Sequence, residues 1–183
     1  MPAPTSDKSS TMSLRETLAP DPSDVEANMR WMRDREQLKM LYQRYAFGVD
    51  SGRFDIVRSV FHPDCVVSGT LEEGSLAPYL KGIEEGLKQW DATMHMMGNQ
   101  YVEIDGDQGR VETWVVGYHM EAPGSPLDHL VLGLRYQDDV VRVGNDWKII
   151  RRNTVKQWHT GPFPRPTLGP PPYPRPGSEA ASS

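Results

Sequence analysis

The feature that most constrains this chain is a change of period at Ala92. Before it, Leu38, Leu41, Tyr42, Tyr45, Ala46 and Val49 recur at helical spacing, a single apolar stripe. After it come four β-rich runs, about 93–104, 110–120, 128–142 and 146–158. DGDQG joins the first pair and Val-Gly-Asn-Asp the last pair, and both are hairpin signals. Asp21 as N-cap and Pro22 at the first helical position start the long helix, and Ser51-Gly52 ends it. A short helix fits 53–61, a short strand 65–69, and a third helix 75–90 with Ser75 as cap and Pro78 in its first turn. Helices followed by an antiparallel meander make an α+β domain, with the helices on one side of the sheet.

The 183 residues suit one domain with spare chain at both ends. Residues 1–21 are expected to be a disordered tail and 22–160 the folded domain. Residues 161–183 form a Pro-rich tail holding eight of the sixteen prolines, and PPPYPRP there is expected to be extended. The net charge is -5 with no basic stripe, which argues against nucleic acid as a partner. No apolar run is long enough to span a bilayer, and the first residues lack the apolar core of a secretory signal. Cys65 is the only cysteine, so no internal disulfide or thiolate cluster is expected. The simplest location is a reducing cytoplasm.

A hairpin centred on Asp107 sets Glu103 against Val111, Tyr101 against Thr113, Met97 against Gly117 and His95 against His119. Alternation then collects His95, Met97, Asn99 and Tyr101 with Val111, Thr113, Val115 and His119 on one face. The other face, from Met94 and Met96 to Trp114, Val116 and Tyr118, is almost wholly apolar. The first face has the mixed character of a ligand pocket. The second needs cover, which a partner subunit would supply. A bulge at Gly98 would shift this register.

Three segments carry a resemblance: LYQRYAFGVDSGRFDIVRSVFHPDCVV (41–67), TMHMMGNQYVEIDGD (93–107) and GLRYQDDVVRVGNDWKIIRRNTVKQW (133–158). They resemble the SnoaL-like branch of the NTF2-like, cystatin-like α+β superfamily, whose members include scytalone dehydratase, bile acid 7α-dehydratase and hexachlorocyclohexane dehydrochlorinase. The resemblance implies a cone of helices on a curved sheet, with no cofactor. It also implies a trimer, though the apolar face by itself demands only some oligomer.

In these enzymes a His and an Asp run an elimination, often with a Tyr. By resemblance the Asp falls on Asp50, at the end of the first helix, and the His on His95. The tyrosine of bile acid 7α-dehydratase falls on Tyr45, and the second histidine of scytalone dehydratase, in a Gly-Tyr-His context, on His119. An arginine of the last strand falls on Arg151 or Arg152.

The expected roles follow. His95 is the general base, Asp50 orients it, and Tyr45 and His119 help a hydroxyl depart. Asn99, His119 and Arg152 are candidate substrate contacts. Each has a plain structural alternative: a satisfied core histidine, a solvent-facing helix-end Asp, a core Tyr in the apolar stripe, an edge histidine, a bulge Asn. With a two-residue Gly-Asn turn, Arg151 falls opposite Asp138 and Arg152 opposite Gln137, so an ion pair explains Arg151 and leaves Arg152 for the pocket. No H-x-H or H-x-x-x-H pair is present, so no metal is expected.

The expected function is therefore a cofactor-independent lyase, a dehydratase of a steroid- or polyketide-like cyclic substrate. The alternatives are an isomerase or polyketide cyclase using the same base, or a non-catalytic binding or assembly module. No ligand class beyond a small hydrophobic molecule is implied.

Overall fold

The computed structural model describes residues 19–69, 73–125 and 129–161. Nearly all of both expected tails lies outside these residues.

Helix α1 runs Val25–Asp50. Its N-cap is Asp24, which accepts from the Ala27 N–H at 2.9 Å. The expected cap, Asp21, instead closes a turn by accepting from the Ser23 N–H at 2.8 Å, which delays the helix past Pro22. All six residues of the apolar stripe are buried. Gly52, at φ 67, turns the chain out of the helix, where a Cβ would strain the backbone. Helix α2 (Phe54–Ser59) and strands β1 (Phe61–Ser68) and β2 (Gly74–Ser75) follow, then helix α3 (Leu76–Leu87). Strand β1 starts at Phe61, within the expected second helix, because Phe61 pairs with Ile149. The meander is β3 (Ala92–Asp105), β4 (Gln108–Met120), β5 (Leu130–Val143) and β6 (Asp146–Thr160).

The sheet order is β2-β1-β6-β5-β4-β3. Strand β1 joins β6 in parallel, so the six-stranded sheet is mixed. The three helices supply α1's stripe together with Val57, Tyr79, Leu80 and Ile83 to a core shared with Val102, Val115, Tyr136, Trp147 and Ile149 of the sheet. Among the described residues no helix is long and apolar enough to cross a membrane.

Two bulges decide which side chains face that core. The first hairpin turns through Gly106-Asp107, so Val102 pairs with Val111 and Gln100 with Thr113. A bulge between Met97 and Gln100 then moves the register by one more, and His95 pairs with Gly117. Two single slips restore the expected face for His95 and Met97 but invert it beyond the bulge. Val102 is therefore buried, while Asn99 and Tyr101 are exposed. In the last hairpin Val143 pairs with Asp146 as expected, but a bulge between Asp139 and Val140 sets Arg152 against Asp138 and Arg151 against Asp139.

Helix α1 is tied to the sheet at both ends. Near its start, buried Asp34 accepts from Arg142 Nη2 at 2.8 Å. Arg142 also donates to Asp107 at 2.9 Å and lies 4.4 Å over the Trp147 ring. These contacts pin the helix to the strand-end turns. Near its other end, Asp50 grips the first residues of β3. The long helix thus delivers its last residue to a fixed point on the sheet.

Candidate active site

The grip of Asp50 on β3 is one of two polar clusters on the sheet's helix-covered side. Thr93 pairs directly with His119, and His95 with Gly117, so these four positions form a cross-strand square with one corner lacking a side chain. The His95 ring leans over the empty corner: a Cβ at Gly117 would lie 3.2 Å from His95 Nε2 and 3.3 Å from His119 Cε1. The two imidazoles meet edge to face, with centroids 5.5 Å apart. Trp90, just before β3, lies 5.5 Å from the His119 ring.

Asp50 Oδ1 meets His95 Nδ1 at 2.7 Å and accepts from Thr93 Oγ1 at 2.9 Å. Its Oδ2 accepts from the His95 backbone N–H at 2.6 Å. A carboxylate only accepts, so Nδ1 carries a proton, and in the neutral ring the lone pair falls on Nε2, directed at the Gly117 corner. The side chains are 8% exposed for His95 and 21% for Asp50. Partial burial pushes the Asp50 carboxyl up, but the hydrogen bonds from the His95 ring and backbone, the charge of the ring and the Thr93 hydroxyl outweigh it, and the net shift is downward. Asp50 is held as an anion. Burial, reinforced by neighbouring His95, lowers the His119 pKa from its ordinary value of 6.5 and keeps it neutral. His119 Nδ1 is buried with no hydrogen-bond partner among the described residues.

A second polar cluster lies in the core. Arg152 has no exposed surface. Its Nη2 donates to Asp138 Oδ2 at 2.7 Å and its Nε to Oδ1 at 3.0 Å. Tyr42 donates to the same carboxylate at 2.8 Å. The guanidinium sits 4.0 Å from the Tyr136 ring centroid, 4.5 Å from Tyr45 and 5.1 Å from Phe61. Burial pulls the Arg152 pKa down, but the charge of Asp138, its hydrogen bond and the nearby Tyr79 and Tyr45 together outweigh it, and the net shift is well up. Burial is also the largest influence on Asp138 and on the tyrosines Tyr42, Tyr45, Tyr79 and Tyr136, raising them all.

The expected site residues therefore divide. Asp50, His95 and His119 come together. Tyr45, buried at 3% exposure, belongs to the second cluster: its hydroxyl meets that of Tyr79 at 3.4 Å, and its ring packs on Phe61 and Tyr136. Arg152, expected to touch a ligand, is instead enclosed by rings and paired with Asp138, because the bulge at Ile150 turns it inward. Asn99 is exposed in the β3 bulge, and Gln100 takes the inward position, donating to Thr113 at 3.2 Å. Arg151 is exposed, 3.3 Å from Asp139. Cys65 is buried, its thiol pushed up to about 12 by burial, and it acts as a small core residue. Among the described residues no cluster of His, Cys, Asp or Glu could hold a metal ion.

Three residues at this site carry no sequence-based expectation of function: Thr93, Gly117 and Trp90. Thr93 was within reach of the alternation rule, since it lies two residues before His95 and so shares its face.

Three helices on one side of a mixed six-stranded sheet are the architecture of the cystatin-like α+β cone. Residues 30–153 match the SnoaL-like domain, and the chain belongs to that family. Uncharacterized proteins of Mycobacterium tuberculosis and Mycobacterium bovis are each 33% identical over 132 residues, 67% of this chain and 85% of the relative. A crystal structure from Novosphingobium aromaticivorans, of a protein named for scytalone dehydratase, superposes with a TM-score of 0.65 at 23% identity, over 77% of this chain and 93% of that one. LinA, a hexachlorocyclohexane dehydrochlorinase by name, gives 0.64 at 16% identity, over 79% and 99%. At these identities the two structures speak to the fold.

Proposed function

We propose that the chain is a cofactor-independent lyase, a dehydratase that removes water from a hydrophobic cyclic molecule of steroid or polyketide-like kind. The observation that carries this reading is the 2.7 Å contact of Asp50 with His95 Nδ1, which turns Nε2, the nitrogen that would act as base, toward Gly117 and His119. His95 Nε2 takes a proton from carbon next to a carbonyl. The C–H electrons form the new double bond as the C–O bond to the leaving hydroxyl breaks. The proton held by His95 leaves with that hydroxyl as water. Asp50 stabilises the imidazolium in between. His119, held neutral by burial and edge to face with His95, holds the departing oxygen. Tyr45 and Arg152 hold the aromatic core behind the site in shape and do not touch the reacting atoms.

The protein also works as a homo-oligomer in this reading, a trimer by family resemblance. The sheet side away from the helices exposes Met94 at 52% and Met96 at 54%, beside Tyr101, Trp114 and Trp158. An apolar patch of that kind is ordinarily covered. A buried Glu112–Arg135 pair at 2.6 Å lies beneath it.

The test is a panel of hydroxysteroids and cyclic β-hydroxy ketones followed by mass spectrometry. A product lighter by one water, abolished by His95→Gln, is expected. A product of unchanged mass assigns the same base to isomerisation, and no product with any compound removes the dehydratase reading.

A further inference from the structure

We propose that Thr93 is a positioning residue for the base: its hydroxyl fixes the Asp50 carboxylate so that the imidazole proton stays on His95 Nδ1 and Nε2 stays free. The inference rests on the reading of His95 as the base. Asp50 ends α1, where the helix dipole disfavours a negative charge. Its ionised form therefore depends on donors from outside the helix. Three are present, all from β3: the Thr93 hydroxyl, the His95 N–H and the His95 ring. The backbone donor is fixed by the strand. The ring is the group to be oriented, and it gives up its constancy of charge when it takes a proton. Thr93 is the one side-chain donor among the three whose charge does not change through a reaction cycle.

The geometry suits that role. Thr93 and the His95 ring share Oδ1, so the hydroxyl at 2.9 Å holds the oxygen on which the ring proton rests. A carboxylate free to rotate would let Oδ1 swing away, and the neutral ring could then relax to the Nε2–H tautomer. A threonine also has few χ1 rotamers, so its hydroxyl is placed at little entropic cost. The other titratable group facing the ring is His119 from β4, which stays neutral and lies on the Nε2 side, away from the proton in question.

The experiment is ¹⁵N NMR of the His95 ring in the full-length protein at a pH where the ring is neutral. The wild type is expected to show a pyrrole-type Nδ1 and a pyridine-type Nε2. Thr93→Val keeps the shape without the donor, and its two nitrogen shifts should converge as the tautomers mix. Thr93→Ala should do the same without the branched side chain, and Thr93→Ser should restore the wild-type pattern. A wild-type pattern in both Thr93→Val and Thr93→Ala, with the pattern lost in Asp50→Asn, overturns the role of Thr93 and leaves the base intact. An unchanged ring in Asp50→Asn overturns the base reading itself.

Discussion

Asp50 and Asp138 each hold a basic side chain, and the contrast between them separates chemistry from architecture. Asp138 and Arg152 are both fully buried, joined by a two-pronged contact and roofed by tyrosines. Nothing in that pair can change state without stranding a charge in the core. Asp50 and His95 retain some exposure, and their partner ring can gain and lose a proton. The first pair is locked by complete desolvation and a permanent cation. The second is held by hydrogen bonds on one side only, with Gly117 and the neutral His119 ring on the other. A site that moves protons needs the second arrangement, and the first gives it a rigid wall.

The contrast can be broken most forcefully at Asp138. Asp138→Ala leaves the Arg152 charge buried without its partner and should cost about 3–5 kcal/mol in urea unfolding. Replacing both residues, as Asp138→Leu with Arg152→Met, should recover most of that loss. If Asp138→Ala is nearly neutral, the pair is not the lock described.

Gly117→Ala comes next. Its methyl would crowd His95 Nε2 and the His119 ring at 3.2–3.3 Å, for a cost of about 1–3 kcal/mol. The change should also silence any proton transfer by His95, since the methyl presses directly on Nε2. Asp50→Asn should cost less stability, about 1.5 kcal/mol for a charged hydrogen bond. It should nevertheless lower turnover about 10²–10⁴-fold, the scale of a lost general base. Stability loss without loss of activity there would merge the two pairs into one structural class.

Acid should resolve the pairs more gently. The folded His119 pKa lies below its ordinary 6.5, so the unfolded chain takes up protons first, and stability falls as pH drops below 6.5 toward the folded value. The folded Asp50 pKa lies below 3.8, so its contribution is whole above 3.8 and is lost as pH falls through the folded value. Melting temperature against pH should show both declines. The upper one should vanish in His119→Gln and the lower in Asp50→Asn. The smallest effect on folding belongs to Met96→Glu on the exposed side. It should leave the unfolding curve of the protomer nearly unchanged and reduce the mass measured by light scattering.

Much of this arrangement was written in local sequence. The stripe from Leu38 to Val49, the last hairpin turn and the alternation of β4 are short-range signals and lie where the pattern places them, while the first turn is offset by one register step. What escaped was bulge chemistry. A bulge costs one residue of register and has no signature beyond a glycine such as Gly98, yet it flips every side chain after it. Asn99 and Arg152 were both misplaced for that reason. His95 kept its expected face only because two slips summed to an even shift, and its pairing with Asp50 was legible from the family resemblance alone. Tyr45 shows a different limit: a hydroxyl on an apolar stripe looks alike whether it faces a ligand or three other rings. The parallel pairing of β1 with β6 joins segments about 85 residues apart, beyond the reach of any local pattern.

The central claim is that His95, backed by Asp50, removes a proton from carbon. Deuterium incorporation tests it without waiting for the true substrate. Cyclic ketones of steroid size would be incubated with the protein in D₂O, and exchange next to the carbonyl followed by mass spectrometry. Catalysed exchange that survives in the Asp138→Leu, Arg152→Met variant and disappears in His95→Gln is the predicted result. Exchange at equal rates in the wild type and in His95→Gln would contradict it.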